Sequence, residues 1–265
     1  MNANRNAPNI SDLLDLRGKK ALVTGASGNI GQAVARRLSE AGAAVALHYL
    51  GGRKAANQLQ AEIEDAGGNA VTIKADLKSD FSTAKMFANL ERDDWEIDLV
   101  VNNAAVQPVE ALADISPEDW QHVLAANLES AFLVTRQAHR NLCERKAGGA
   151  IVNVVSIEGL DPAVGHAHYA SSKAGLLMFT RAAALEYGPQ GIRVNAVSPG
   201  LVERDGLQDE WPEGVERWQY KAPLGRLGLP NDVADAVLFL LSPAARWISG
   251  ANLVVDGGMS TVSRW

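Results

Sequence analysis

The sequence contains one cysteine, Cys143, and neither a long run of basic residues nor an excess of positive charge. A chain with a single cysteine cannot form an internal disulfide, and this composition is typical of proteins from a reducing compartment. The formal net charge of -6 argues against nucleic acid or an anionic membrane surface as the main partner. We therefore expect a cytoplasmic protein whose partner is a small molecule.

Long hydrophobic runs are also missing. No apolar stretch approaches the length of about 18 residues that indicates a membrane-spanning helix. The first 17 residues, MNANRNAPNISDLLDLR, lack the charged start and apolar centre of a signal peptide. We interpret residues 1–16 as a polar leader and expect no association with a membrane.

Reactive thiols and metal ligands are equally scarce. Cys143 lies in the polar helical stretch RQAHRNLCERK with no base positioned to activate it, so we expect a plain helix residue rather than a catalytic thiol. The histidines show no ligand spacing beyond the pair His166 and His168. Without a third ligand this pair favours a helix-terminal or substrate-contacting role, and we expect no metal site.

What the sequence does have is a repeated alternation of short apolar runs and helix-length segments. This pattern is typical of a parallel sheet covered on both faces by helices, and no linker or repeat divides it. We predict one α/β domain over residues 17–265, a doubly wound Rossmann fold with seven strands. The predicted strands are 20–24, 44–49, 70–75, 97–102, 150–156, 192–198 and 252–256.

One long stretch, residues 198–230, shows neither pattern clearly. Connections of this length are usually functional or disordered. Because Trp211, Trp218 and Tyr220 lie within it, we predict a lid at about 201–224 that supplies apolar walls to a pocket.

The first predicted strand runs directly into a glycine-rich turn, VTGASGNIGQA, at residues 23–33. Gly25, Gly28 and Gly31 precede a helical segment, so backbone N–H groups and a helix N-terminus can face a pyrophosphate. Tight turns need glycine without any ligand, but strand, turn and helix together favour nucleotide binding.

The end of the second strand bears on which dinucleotide would bind. An acidic residue there would bind the adenosine ribose hydroxyls, but the position is held by Tyr49. Arg53 and Lys54 lie just beyond, where a guanidinium can pair with a 2′-phosphate. We therefore favour NADP and keep NAD as the alternative, in which both cations only solvate the start of a helix.

Tyr169 and Lys173 are four residues apart and so share one face of a predicted helix that starts near His168. A nearby ammonium and a nicotinamide cation would favour the phenolate of a tyrosine whose free pKa is about 10. Ser156 ends the fifth predicted strand, 13 residues before the tyrosine. Hydride transfer to a ketone needs such hydrogen-bond donors and a nearby proton.

The motifs TGASGNIG, NNAA, Asn127, Ser156, YASSK, SPG and VVDGG occur in an order that resembles the short-chain dehydrogenase/reductase family over residues 17–259. The resemblance implies hydride transfer between NAD(P) and a carbonyl or secondary alcohol. It implies that Tyr169 is the proton donor and acceptor, that Ser156 holds the substrate oxygen, and that Lys173 binds the nicotinamide ribose. Asn127 corresponds to the helix-kinking asparagine whose carbonyl holds a relay water.

The resemblance also implies a set of cofactor contacts. These are Gly25, Ser27, Asn29, Ile30, Gly31, Tyr49, Arg53, Asp76, Leu77, Asn103, Ala104, Ala105, Tyr169, Lys173, Pro199, Gly200 and Val202. Asn29 and Ala105 stand where the family usually has glycine, and asparagine is the substitute that best tolerates positive φ. After SPG the family often has a carboxamide-binding threonine. Here Arg204 is a candidate for that amide or for an anionic substrate, or it pairs with Glu203 or Asp205.

The segments PLGRLGLPNDVADAVLFLLSP and WISGANLVVDGG are similar to those of 3-oxoacyl-carrier-protein reductases and sugar-alcohol dehydrogenases. This similarity favours an NADPH-dependent ketone reductase. The alternatives are an NAD-linked dehydrogenase that oxidises a polyol, steroid or similar alcohol, and a nucleotide-sensing family member without turnover. Glu158, His166 and Arg204 are candidates for polar substrate contacts. The family resemblance also implies a homotetramer.

Overall fold

The computed structural model describes residues 8–262 and contains a single sheet of seven strands. All strand pairs are parallel, and the strand order is β3-β2-β1-β4-β5-β6-β7. The strands are β1 (Lys20–Val23), β2 (Ala44–Tyr49), β3 (Ala70–Lys74), β4 (Leu99–Asn102), β5 (Gly149–Val154), β6 (Ile192–Pro199) and β7 (Asn252–Val255). The predicted sheet is confirmed, and no strand end differs from its prediction by more than two residues.

The helices are α1 (Asn29–Glu40), α2 (Arg53–Asp65), α3 (Asp80–Arg92), α4 (Pro117–Leu124), α5 (Ser130–Glu144), α6 (Ala167–Tyr187), α7 (Leu207–Glu210), α8 (Pro212–Lys221) and α9 (Pro230–Leu241). Local sequence explains several of their starts. Ser79 and Ser116 cap α3 and α4, since each hydroxyl accepts a hydrogen bond from a backbone N–H of the first turn. Proline begins α4, α8 and α9, where its missing N–H costs nothing.

The strands are apolar throughout because both faces of the sheet are buried. Ala21 and Val23 of β1 face one core with α1, α2 and α9, whereas Leu22 faces a second core with α3, α5 and α6. The same alternation occurs in β4 and β5. A sheet covered on both sides in this way produces the continuous hydrophobic runs seen in the sequence.

The strand order reverses direction beside β1. The chain passes from β1 outward to β2 and β3, and then returns to place β4 on the other side of β1. The connections that leave the carboxyl ends of β1 and β4 therefore diverge, and they open a crevice at that edge of the sheet.

The segment predicted to be a lid, residues 201–224 and called the lid below, is more regular than the sequence suggested. It contains α7 and α8, and a parallel bridge joins Val202 to Gly228. Leu207 and Val215 pack with Leu227 in a small separate core. The prediction of an irregular connection was wrong because these helices are short and bury only one or two apolar residues each.

The structure also describes part of the predicted leader and the whole of the predicted helical run from Pro117. Residues 1–7 of the predicted leader lie outside the described residues, while Leu16 is buried and its N–H bonds the carbonyl of Ala41. The predicted helical run from Pro117 to about Lys146 is present as α4 and α5, joined by a π-helical segment at Ala125–Glu129. Within residues 8–262, no helix combines the length and apolarity needed to cross a bilayer.

Candidate active site

A cavity of about 910 Å³ lies at the carboxyl edge of the sheet, and we call it the central cavity. Its walls come mostly from residues that directly follow the strands. The predicted site residues that line it are Gly25, Ser27, Asn29, Ile30, Gly31, Asp76, Leu77, Asn103, Ala104, Ala105, Ser156, Tyr169, Lys173, Pro199, Gly200 and Val202. Tyr49, Arg53 and Asn127 were also predicted, and they do not line it.

Two glycines of the first turn are required by close backbone contacts. Gly25 has φ of 62°, and a Cβ there would lie 2.9 Å from the Cα of Ala104. A Cβ at Gly31 would lie 2.3 Å from the carbonyl oxygen of Gly25. Close packing at these two positions lets the turn lead directly into the N-terminus of α1, which is the geometry that binds a pyrophosphate.

The glycine turn is fixed to the end of β4 by two polar side chains. The hydroxyl of Thr24 accepts hydrogen bonds from the backbone N–H groups of Asn103 and Ala104, at 2.9 and 3.0 Å. The amide of Asn103 donates to the carbonyl oxygens of Thr24 and Gly25, at 3.0 and 3.2 Å. Asn103 thus holds the turn as well as lining the cavity.

His48 also supports the turn, and its only signal in the sequence is that of a polar residue inside an apolar strand. Its Nδ1 accepts from the N–H of Gly25 at 3.1 Å, and its Nε2 lies 3.1 Å from the carbonyl oxygen of Ala75. These partners assign the proton to Nε2. The ring is 2 % exposed, and burial lowers the pKa of His48 to about 4. The neutral imidazole therefore links β1, β2 and β3.

The adenosine end of the cavity differs from the prediction in its details. Tyr49 is buried, and Arg53 is an exposed residue at the start of α2. Leu50 and Gly51 line the cavity after β2, and Lys78 lines it near Asp76. Lys78 is a cation at this end that sequence reasoning missed, since it lies after the third strand rather than the second.

Ser156, Tyr169 and Lys173 meet on one wall of the cavity. Ser156 follows β5, while Tyr169 and Lys173 project from adjacent turns of α6. The ammonium of Lys173 lies 5.5 Å from the centre of the tyrosine ring and donates a hydrogen bond of 2.9 Å to the carbonyl oxygen of Val154. The three residues that are spaced along the sequence therefore lie together in the folded protein.

Burial dominates the ionisation of this pair. Burial raises the pKa of Tyr169 to about 12. A hydrogen bond with Ser156 acts in the opposite direction and lowers this pKa, and the charge of Glu158 raises it. Burial also lowers the pKa of Lys173 to about 8. Desolvation of the phenol thus raises the tyrosine pKa in the chain by itself, and the lowered pKa expected from Lys173 with a nicotinamide cation needs that second positive charge.

Asn127 lies in the π-helical segment and is 1 % exposed. Its amide nitrogen donates to the carbonyl oxygen of Val106 and to the hydroxyl of Ser172, at 2.9 and 3.1 Å. Its amide oxygen accepts from the N–H of Val106 at 2.8 Å. The side chain therefore ties the segment after β4 to α6, the helix that carries Tyr169.

A polar cluster lies beside the tyrosine. One carboxylate oxygen of Glu158 accepts a hydrogen bond of 3.0 Å from the amide of Gln107, and the other lies 2.7 Å from Nδ1 of His166. The ring of His166 packs edge-on to that of Tyr169, with centroids 6.1 Å apart. All three residues of the cluster line the central cavity, as sequence reasoning expected for Glu158 and His166 but not for Gln107.

The remaining candidates are dispersed. His168 is fully buried, and its Nδ1 accepts from the N–H of Tyr169. Within residues 8–262, no group of three or more His, Cys, Asp or Glu side chains is placed to hold a metal ion. Cys143 is half-buried on α5, with its Sγ 3.3 Å from Nε2 of His139.

The lid contributes less than expected. Trp211 and Trp218 line the cavity, but Tyr220 is 88 % exposed and does not. The prediction for Tyr220 was wrong because it lies on the outer side of the short helix α8. Arg204 lines the cavity with its guanidinium on the carboxylate of Glu210 and the carbonyl oxygen of Asp205. The alternative in which Arg204 pairs with a lid carboxylate is therefore observed, with Glu210 in place of Glu203 or Asp205.

Comparison with known proteins places these features in a family. A family model described as enoyl-(acyl carrier protein) reductase matches residues 25–260. An L-rhamnose 1-dehydrogenase (NAD(P)(+)) of Azotobacter vinelandii is 38% identical over 91% of this chain and 96% of its own length. A 3-oxoacyl-[acyl-carrier-protein] reductase of Aquifex aeolicus is 36% identical over 93% of this chain and 99% of its own.

The structural comparison agrees. A gluconate 5-dehydrogenase of Burkholderia cenocepacia, solved in complex with NADP and tartrate, superposes with a TM-score of 0.89 at 29% identity, over 95% of this chain and 99% of that one. The family match spans the glycine turn, strands β2 to β7 and the wall that carries Tyr169. The chain therefore belongs to the short-chain dehydrogenase/reductase family, and it is an NAD(P)-dependent oxidoreductase of alcohol and carbonyl groups.

Proposed function

We propose that the protein transfers a hydride between NADP(H) and the carbonyl or secondary alcohol carbon of a small molecule, with Ser156, Tyr169 and Lys173 in the reaction. The observation that carries this proposal is the meeting of these three side chains on one wall of the cavity whose other end is the glycine turn. Asn127 acts beside them as a positioning residue, because it joins α6 to the segment after β4.

The residues present fit a dinucleotide. Gly25 and Gly31 let the turn pack closely against the end of β4, and both line the cavity beside the N-terminus of α1, where backbone N–H groups bind a pyrophosphate. At the end of the cavity near Tyr169, the buried ammonium of Lys173 donates one hydrogen bond to the carbonyl oxygen of Val154. Its two other N–H groups can donate to ribose hydroxyls. The bound nicotinamide supplies or accepts the hydride.

In the direction of reduction, Tyr169 gives its hydroxyl proton to the substrate oxygen while the hydroxyl of Ser156 holds that oxygen. In the direction of oxidation, Tyr169 removes the proton. A raised tyrosine pKa suits the proton-holding form, and the positive charge of Lys173 together with an oxidised nicotinamide favours the phenolate. Ser156 and Tyr169 thereby hold the proton beside the oxygen atom on which the reaction creates or consumes an alkoxide.

We propose NADP as the favoured cofactor, with NAD as the alternative. No carboxylate ends β2, where one would bind the ribose hydroxyls and repel a 2′-phosphate. Lys78 lines this end of the cavity, and Arg53 begins α2 nearby in sequence to Leu50 and Gly51. An oxidative NAD-linked dehydrogenase remains the second candidate, since the polar cluster at Glu158 suits an alcohol with several hydroxyl groups.

The decisive experiment compares the wild-type protein with Tyr169→Phe. NADPH consumption is followed by its absorbance with a panel of ketones, and NADPH binding is followed by quenching of tryptophan fluorescence. An enzyme loses turnover in Tyr169→Phe and keeps cofactor binding. A nucleotide-sensing protein shows no turnover in either form, and this outcome would overturn the proposal.

We further propose a homotetramer, located in the cytoplasm, in which the lid at 201–224 covers the bound substrate. Exposed apolar side chains on α5 and α6, namely Phe132, Met178 and Leu185, suit pairing of these helices with another copy. Light scattering tests the assembly. A mass near that of one 28.2 kDa chain would contradict it.

A further inference from the structure

We propose that Glu158, held between Gln107 and His166, binds a hydroxyl group of a neutral polyhydroxylated substrate such as a sugar or polyol, and that it excludes substrates with a carboxylate at this position. The inference rests on the proposed function, because it names the substrate class of the same cavity. Its evidence is the geometry of the three side chains, and it is tested by binding as well as by turnover.

The carboxylate of Glu158 is built into the wall rather than free in solvent. The side chains of Glu158 and His166 are each only 16% exposed, and their contact is 2.7 Å. The amide of Gln107 donates to the other carboxylate oxygen at 3.0 Å. With one donor on each oxygen, each retains one lone pair for a further donor. The cluster therefore offers acceptors to a substrate O–H group.

The cluster also lies at the reacting end of the cavity. Glu158 is two residues after Ser156, and the backbone N–H of Glu158 donates to the Ser156 hydroxyl at 3.1 Å. On the other side, His166 packs edge-on against Tyr169. A substrate oxygen between Ser156 and Tyr169 therefore places its neighbouring carbon within reach of Glu158. The group that Glu158 reads is a hydroxyl close to the reacting carbon.

Charge and packing determine which substrates this wall accepts. A carboxylate placed against Glu158 would meet a like charge in a partly buried site. Arg204, the guanidinium that also lines the cavity, is already paired with Glu210. An apolar substrate would cover Glu158 and His166 and exclude solvent from them without offering either side chain a hydrogen bond in return. Trp211 and Trp218 line the same cavity and provide apolar faces for the C–H groups of a sugar or polyol.

The experiment measures binding in a complex that cannot react. Wild-type protein is saturated with NADPH and titrated by calorimetry with four alcohols: sorbitol, L-rhamnose, D-gluconate and cyclohexanol. Because the cofactor and the alcohol groups are then both reduced, no hydride passes between them, and constant NADPH absorbance checks that the trace of open-chain aldehyde of L-rhamnose is not reduced; the dissociation constant is then that of binding alone. The same four compounds are assayed for oxidation with NADP, which gives kcat and KM separately.

Two substitutions at one position and one control complete the test. Glu158→Gln removes the charge and keeps the shape, and Glu158→Leu removes both hydrogen-bonding oxygens. The control is Glu213→Gln, the same chemical change on an exposed lid residue that does not line the cavity. Thermal unfolding checks that each variant is folded.

We expect wild-type protein to bind sorbitol or L-rhamnose more tightly than gluconate and cyclohexanol. Glu158→Leu should weaken binding of the neutral compound by about tenfold to a hundredfold, as expected for loss of hydrogen bonds to a charged group. Glu158→Gln should narrow the gap between the neutral compound and gluconate, and Glu213→Gln should change neither.

Three results would overturn the inference: tighter binding of gluconate or cyclohexanol by the wild type, no binding of either neutral compound, or identical constants in all Glu158 variants. Failure of the proposed function is seen separately. It would be the absence of Tyr169-dependent hydride transfer with every carbonyl and alcohol tried, an outcome that leaves the calorimetric comparison readable.

Discussion

The side-chain amide of Asn29 donates a hydrogen bond of 2.6 Å to the backbone carbonyl oxygen of Glu203. The contact joins the first residue of α1 to the beginning of the lid. The family resemblance implies a glycine where this chain has Asn29, so the departure from that pattern creates a connection between the glycine turn and the lid. A glycine at this position could not make it.

Removal of this connection should speed the release of cofactor. In Asn29→Gly the lid loses its hydrogen bond to the turn, and we expect NADPH to dissociate several-fold faster, in proportion to the modest worth of one hydrogen bond, about 1 kcal/mol. Stopped-flow displacement of NADPH measures the rate. Asn29→Ala serves as the control for backbone freedom, since it lacks the amide without adding glycine. A dissociation rate equal to that of the wild type in both variants would show that the contact does not hold the lid.

His48 should make stability depend on pH. In the folded protein burial lowers the pKa of His48 to about 4, while the unfolded value is about 6.5. Between these values the unfolded chain binds a proton that the folded chain does not. The contribution of His48 is therefore fully present above about pH 6.5 and is lost as the pH falls towards 4, at a cost of about 3 kcal/mol.

Urea unfolding from pH 4 to pH 7 measures this effect, with His48→Gln as the matched variant. Glutamine can accept from Gly25 and donate to Ala75 but has no titrating ring. We expect the difference in unfolding free energy between the two proteins to change across this range in favour of the variant at low pH. A constant difference would mean that His48 does not carry the dependence.

Replacement of the phenol should abolish chemistry and spare binding. In Tyr169→Phe we expect turnover to fall by a factor of about 100 to 10,000, the usual contribution of a positioned acid or base. Tyr187→Phe provides the control, since Tyr187 ends α6 and stacks on His139 without lining the cavity. Steady-state kinetics and fluorescence titration with NADPH separate the two effects. Equal losses in both variants would point to damage of α6 instead.

The choice between the two cofactors should depend on cations at the adenosine end. We expect NADPH to bind about tenfold more tightly than NADH, a difference of about 1.4 kcal/mol. Lys78→Ala should narrow this gap, because Lys78 lines the cavity. Arg53→Ala tests the prediction from the sequence that Arg53 binds the 2′-phosphate. We expect it to narrow the gap less than Lys78→Ala does, because Arg53 does not line the cavity. Fluorescence titrations of the wild type and the two variants with both nucleotides give the six dissociation constants. Tighter binding of NADH by the wild type would make the oxidative dehydrogenase the leading account.

The sequence was most informative where one physical constraint acts locally. The strands were found because burial on both faces demands apolar runs, and the glycine turn because Gly25 and Gly31 tolerate no Cβ. The spacing of Tyr169 and Lys173 follows directly from helical geometry. Ser156 could be placed because its distance from the tyrosine along the chain and its position after a strand agreed.

The features that were missed depend on contacts between distant segments. His48 is 23 residues from Gly25, and Asn29 is 174 residues from Glu203, so neither partner can be read locally. Tyr220 was placed in the pocket on its aromatic character alone, although α8 turns it outward. The tyrosine pKa followed desolvation, which depends on how completely the surrounding structure excludes water.

The π-helical segment at Ala125–Glu129 has a consequence for how this chain tolerates insertions and deletions. A π-helical turn contains one residue more than the α-helical ladder around it requires. Deletion of one alanine from the pair Ala125 and Ala126 would restore an uninterrupted α-helix from Pro117 to Glu144. It would also remove the widened turn that holds Asn127, and the side chain of Asn127 would leave Val106 and Ser172. The deletion would therefore make the helix shorter and more regular, but it would disrupt the wall that holds Tyr169.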